Sequence, residues 1–235
     1  GLETLPRAIP GSSAWTHQLV ELMRRSYRER MLLGDSDFVE VPTERLLSAE
    51  HAGQLAAGID SQKATPSSEL GEPAPFNEGT DTTHFSLIDR QGNAVSATLS
   101  INLPFGAAFT VPGTGVLLNN EMDDFATDPT GENAYQLAGS EPNAVGPGKR
   151  PLSSMTPTML ENGEQLAILG TPGGSRIITM VLLGALEAIE GQDVESWVSR
   201  PRFHHQYLPD HIQIEDGAFS ESLQAELEAL GHSIK

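Results

Sequence analysis

The chain has 235 residues, a formal charge of −18 and no cysteine. That length can bury a substantial core in one domain, or in one domain with an appendage. The acidity argues against nucleic acid and anionic membrane as partners, since both demand a basic patch, and the lack of thiols excludes disulfides and cysteine nucleophiles within the chain.

Residues 14–33 carry Leu19, Leu22, Met23 and Tyr27 at helical spacing, with arginines on the opposite face. A second helix is predicted over 43–58. Residues 61–81 hold three prolines, two glycines and four acidic residues with almost nothing apolar, the pattern of an exposed connector. Strands follow over 84–89 and 94–101, joined by DRQGN, which suits a three-residue hairpin loop with Gly92 in the left-handed region. That register sets Thr82 opposite Ser100. A two-residue loop would bring up Ile101 instead, and one slip turns over every side chain of a strand. In the first register Thr82, His84, Ser100 and Asn102 share a polar face, while Phe85, Leu87, Val95, Ala97 and Leu99 face a core. A turn and short strand are predicted over 113–120, loops over 121–150, and strands over 156–160 and 165–169 around ENGE. The longest apolar run, near 180–186, is too short to cross a membrane. It lies in a buried helix over 176–189 that Ser175 is placed to cap. Helices near 193–199 and 220–230 follow, the second stopped by Gly231, and a strand begins at 232. Strands grouped between helices give an α+β layered fold.

Several residues carry chemistry. Thr82 sits where the connector meets a strand. Most threonines at strand starts are structural, but a cut before this one would free an α-amine able to activate its own hydroxyl. Glu121 and Asp124 read as a solvated acidic loop or as a cation site. Their spacing is not that of a calcium loop, and no histidine lies near them in sequence. GTPGGS before a helix offers backbone N–H groups to an anion. It lacks the lysine of a phosphate-binding loop, so an oxyanion hole at Gly173 and Gly174 fits better. The adjacent pair His204–His205 lacks any zinc spacing and reads as structural.

From about residue 15 to the end, the blocks TTHFSLIDRQGNAVSATLSIN, LLNNEMDDF, NAVGPGKRPLSSMTPT, GTPGGSRIIT and PRFHHQ resemble the γ-glutamyltranspeptidases (glutathione hydrolases), in the family's order. These belong to the N-terminal nucleophile hydrolases, so the resemblance implies an αββα sandwich. It implies part of a longer precursor: residues 1–81 as the end of a large subunit, 82–235 as most of a small one. Cleavage between Asp81 and Thr82 would leave the two as a heterodimer. Thr82 is then the nucleophile, and Ser100, where the family often has threonine, orients it. Asn102 touches substrate, Glu121 and Asp124 hold the donor's α-ammonium, and Ser153 and Ser154 bind its α-carboxylate. Gly173 and Gly174 form the oxyanion hole. The family's carboxylate-binding arginine is expected upstream of this chain. The implied substrates are glutathione or another γ-glutamyl donor and an amino-acid or peptide acceptor. No cofactor or metal is implied, and the implied location is periplasmic or extracellular. An amide acylase of the same superfamily is the nearest rival, but it would need no α-amino clamp. A catalytically inert fragment is the other alternative.

Overall fold

The computed structural model describes residues 1–71, 82–126 and 140–235. Helix α1 (Ser13–Arg30) starts where Ser12 accepts from the Trp15 N–H, and it ends three residues before the predicted bound. The predicted second helix is two, α2 (Thr43–Leu46) and α3 (Ala49–Ala57), because Ser48 interrupts the run to cap the latter. Strands β1 (Thr82–Ile88) and β2 (Ala94–Ser100) form an antiparallel hairpin, and β3 (Thr158–Glu161) pairs with β4 (Leu166–Leu169) in the same sense. Then come α4 (Ile177–Ile189), α5 (Val194–Ser199), the short pair β5 (Phe203–His204) and β6 (Gln213–Ile214), and α6 (Glu221–Ala229). Ile234 bridges to Ile212 in parallel, where the strand from 232 was expected. Among the described residues, no helix is long and apolar enough to cross a membrane.

The main core gathers Trp15, Leu19, Val20 and Met23 of α1, Leu183 of α4, Phe203, Ile212, Phe219 and Leu227 of α6. Trp15 meets Phe203 edge-on at 6.2 Å, and Phe203 tilts against Phe219 at 5.3 Å. Burying a side chain such as Leu19 or Leu227 contributes about 1.5–3 kcal/mol each. The helix before the connector and the last helix therefore share one core.

Four expectations are corrected. Arg24 and Arg25 of α1 are buried rather than solvent-facing. Arg25 Nη1 reaches Glu21 at 2.5 Å, and Arg24 is paired with Glu21 and Asp210, so each buried charge has a partner. The connector is not exposed throughout. The Thr65 N–H donates to Glu21 Oε1 at 3.1 Å, and Ser67 donates to the Tyr207 carbonyl at 2.5 Å, so hydrogen bonds dock it, with Ala64 buried and Leu70 packed against Tyr27, Tyr207 and Leu208. Ser175 does not cap α4. It lies inside a 3₁₀ turn (Gly174–Arg176), and its hydroxyl donates to Gln206 Oε1 at 2.6 Å. Finally, Phe85, Leu87, Val95 and Leu99 remain 44–53 % exposed, because no described segment packs over that face of the hairpin.

Candidate active site

The β1–β2 loop sets the register. Gly92 has φ +87°, and Asp89 Oδ1 accepts from the Gln91 and Asn93 N–H groups at 2.8 and 2.9 Å. The pairing runs from Ile88–Ala94 to Thr82–Ser100, as the three-residue loop requires. Thr82 Oγ1 consequently lies 3.2 Å from Ser100 Oγ, which also accepts from the Asn102 N–H at 2.9 Å. Asn102 has φ +70° and turns the chain away from the strand. Its Nδ2 donates to the Asn120 carbonyl at 3.2 Å, and Asn120 Oδ1 accepts from the Leu103 N–H at 3.0 Å. The acidic segment is thus fastened to the strand end.

Glu121 and Asp124 stand on one 3₁₀ turn (Glu121–Asp124). Burial pushes the Asp124 carboxyl up to about 8, the neighbouring Glu121 adds to the rise, and Arg30 opposes it. Glu121 Oε1 is buried with no hydrogen-bond partner among the described residues, leaving an acceptor open to a ligand's donor. Across the pocket, Ser153 Oγ accepts from the Met155 N–H at 3.0 Å, and Ser154 Oγ accepts from Arg30 Nη2 at 3.0 Å. Gly174 (φ +58°) follows Gly173 (φ +140°), a pair of left-side conformations that side chains rarely tolerate. Tyr27 steadies this turn by donating its hydroxyl to the Ser175 carbonyl at 2.5 Å.

One pocket is lined by Thr82, Ser100, Asn102, Glu121, Asp124, Ser153, Ser154 and Gly174, with Met155 and Ile177 as its apolar members. These residues come from five separate stretches of chain. Gly173 stands directly behind Gly174 rather than in the lining, and Asp81 lies outside the described residues. Sequence reasoning missed Met155, Arg30, Tyr27 and Asn143. Only the three-residue step from Tyr27 to Arg30, which puts both on one side of α1, signalled any of them.

The γ-glutamyltranspeptidase family model matches residues 3–235. The chain belongs to the γ-glutamyltranspeptidase family. It is 46 % identical over 223 residues to the glutathione hydrolase proenzyme of Pseudomonas sp. strain A14, covering 94 % of this chain and 39 % of that one. Against the glutathione hydrolase proenzyme of Escherichia coli K12 the identity is 44 % over 229 residues, with 95 % and 39 % covered. The chain therefore spans 39 % of the length of these relatives. A crystal structure of a Helicobacter pylori γ-glutamyltranspeptidase mutant superposes with a TM-score of 0.63 at 44 % identity, over 65 % of this chain and 83 % of that one. The fold is a partial N-terminal nucleophile hydrolase fold of the α+β class.

The histidines of this γ-glutamyltranspeptidase chain stand apart from that pocket. His204 is buried between Thr179 Oγ1 and Gln206 Oε1, both at 2.7 Å, and His205 Nδ1 accepts from the Tyr207 N–H at 3.1 Å. Burial lowers them to about 3 and about 4, so both stay neutral. His84 shares the hairpin's polar face with Thr82 but bonds Thr98 Oγ1 at 2.8 Å and packs on Gly170, where a Cβ would fall 2.2 Å from its ring. His17, Glu21 and His232 cluster closely enough to suggest a metal. However, the imidazoles already hydrogen-bond each other at 2.8 Å, and Glu21 is neutralised by Arg24 and Arg25. That cluster is a buried polar network.

Proposed function

We propose that this chain is the catalytic part of a γ-glutamyltransferase and glutathione hydrolase, made as a precursor that cuts itself between Asp81 and Thr82. The observation that carries the reading is the convergence of the Thr82–Ser100 hydroxyl pair, two carboxyls and two serine hydroxyls on one pocket. A γ-glutamyl donor presents an electrophilic amide carbon together with an ammonium and a carboxylate on its α-carbon, and the pocket offers a complement to each.

In the precursor, Thr82 Oγ attacks the Asp81 carbonyl carbon. The peptide C–N bond breaks, Asp81 is left as an ester on Oγ, and the Thr82 amine is freed. Water hydrolyses that ester, releasing Asp81 as a carboxylate. The two pieces, 1–81 with whatever precedes it and 82–235, stay together as large and small subunits. They share a core in which α1 packs with α6.

In the mature enzyme the Thr82 amine takes the Oγ proton as Oγ attacks the donor's γ-carbonyl carbon. Ser100 holds Oγ in place. The backbone N–H groups of the Gly173–Gly174 turn receive the developing oxyanion. The resulting ammonium of Thr82 returns its proton to the departing amine, leaving a γ-glutamyl ester on Thr82. Water then gives glutamate, or an amino-acid or peptide amine gives a new γ-glutamyl amide. Glu121, Asp124 and Asn102 hold the α-ammonium, and Ser153 and Ser154 hold the α-carboxylate. Such an enzyme works on glutathione or related amides in the periplasm or outside the cell.

The test is hydrolysis of γ-glutamyl-p-nitroanilide and of glutaryl-p-nitroanilide by the full-length precursor. The reading expects strong preference for the γ-glutamyl donor. Preference for the glutaryl amide would replace it with an acylase, and no turnover of either by a folded, cut protein would make the chain inert.

A further inference from the structure

The last turn of α1 carries an arginine that reaches a pocket-lining side chain. Arg30 Nη2 donates to Ser154 Oγ at 3.0 Å, and Arg30 itself is not in the lining, so it stands behind the wall. A guanidinium has five donors and no acceptor, so Ser154 Oγ accepts from it and turns its own O–H elsewhere. A hydroxyl fixed in that sense is a hydrogen-bond donor towards the pocket, the role an anionic group requires. The charge behind it strengthens that donation, since charge-assisted bonds are about twice as strong as neutral ones. Tyr27, one turn earlier on the same side of α1, bonds the Ser175 carbonyl and so braces the glycine turn. Residues on the large-subunit side of Thr82 thereby hold two walls of a pocket built by the small-subunit side.

We propose that Arg30 is a positioning residue for donor recognition: it commits the Ser154 hydroxyl to donate to the donor's α-carboxylate. The inference rests on the γ-glutamyl reading and adds to it a contribution from α1. Arg30 touches no reacting atom, so its effect falls on donor affinity and not on the acyl-transfer step.

The experiment measures KM and kcat of the full-length enzyme for γ-glutamyl-p-nitroanilide and for 4-aminobutanoyl-p-nitroanilide, the same donor without its α-carboxylate. In Arg30→Gln, KM for the γ-glutamyl donor should rise roughly ten- to a hundredfold, the loss of one charge-assisted bond, with kcat within about twofold. KM for the decarboxylated donor should rise far less, by the share that comes from removing the Arg30 charge near Asp124. Arg30→Lys, which keeps the charge but not the fork, should recover part of the loss. In a Ser154→Ala background, Arg30→Gln should cost little more, because the bond through which it acts is gone. Equal losses on both donors, or the same penalty with and without Ser154, would overturn the proposal. Should Arg30→Gln fail to fold, Arg30→Lys reads the same split between donors. A wild-type enzyme indifferent to the α-carboxylate would overturn the γ-glutamyl reading itself, and this proposal with it.

Discussion

Asn143 Nδ2 donates to the main-chain carbonyl of Asp124 at 2.7 Å, while its Oδ1 accepts from the Leu152 N–H at 3.0 Å. One buried side chain thus ties the acidic turn to the segment that presents Ser153 and Ser154. Its own carbonyl accepts from the Ala126 N–H at 3.0 Å, which makes the junction a small three-point lattice.

Asn143→Ala should therefore disturb both ends of the pocket at once. It leaves the Leu152 N–H and the Asp124 carbonyl without their partner, at about 1–3 kcal/mol for each unsatisfied buried group. The expected result is a lower Tm together with a higher KM for γ-glutamyl donors. Asn143→Asp should be no better, since it keeps the acceptor for Leu152 but sets a carboxylate against the Asp124 carbonyl. Thermal unfolding and donor kinetics on the full-length protein check this; unchanged values for Asn143→Ala would mean that the two arms are held by other contacts.

The proposed self-cleavage should depend on the Thr82 hydroxyl and its neighbour. Thr82→Ala should leave one uncut chain, because no oxygen remains to accept the Asp81 acyl group. Thr82→Ser should still cut, more slowly. Ser100→Ala removes the 3.2 Å contact and should slow cutting without abolishing it. Intact mass and N-terminal sequencing of the folded precursor give the answer, and a wild-type protein that stays whole would end the idea.

The sequence made the hairpin legible because Gly92 suits the three-residue loop better than the two-residue alternative, and the register of that loop sets Thr82 against Ser100. It made the pocket's lining legible through motif blocks, even though those residues meet only in three dimensions. The α1 arginines were misread, since helical spacing shows which residues share a side but not which side is buried. Arg24 and Arg25 are inside because Glu21 and Asp210 are there to meet them. Ser175 was misread for a related reason: the 3₁₀ turn moves the helix start from 176 to Ile177, and local sequence does not encode that shift. Spacing sets Arg30 on the same side of α1 as Tyr27 but does not reveal its partner Ser154, 124 residues away, and nothing local marks Asn143 as the partner of Asp124 and Leu152.

The glycine turn should tolerate little. Gly174 at φ +58° and Gly173 at φ +140° both lie where a Cβ is strained, and a Cβ on Gly173 would also sit 3.1 Å from Met180 Sδ. Gly174→Ala should lower kcat far more than it raises KM, and losing one oxyanion donor typically costs about 100- to 1,000-fold. Near-normal kcat in a folded Gly174→Ala enzyme would take the oxyanion role away from this turn.

In the proposed donor site, Asp124 should give binding a pH dependence of definite sign. Its carboxyl is raised to about 8, chiefly by burial, so below that pH Asp124 retains a proton. An ammonium needs the charged form, so donor binding must expel that proton. KM for γ-glutamyl donors should therefore fall as pH rises towards 8, by about tenfold per unit at the steepest, and level off above it until the donor's own ammonium deprotonates. Glutaryl amides, which lack the ammonium, should show no such fall. Asp124→Asn should flatten the profile and cost the γ-glutamyl donor about ten- to a hundredfold in affinity. Stability should move the opposite way with pH. A carboxyl raised above its unfolded value of about 3.9 makes the folded state bind more protons than the unfolded one, so stability declines as pH climbs through that window. Asp124→Asn should remove that decline. Donor kinetics and denaturation run across the same pH range on wild type and variant provide the check; identical profiles for the two would show that Asp124 does not carry the titration.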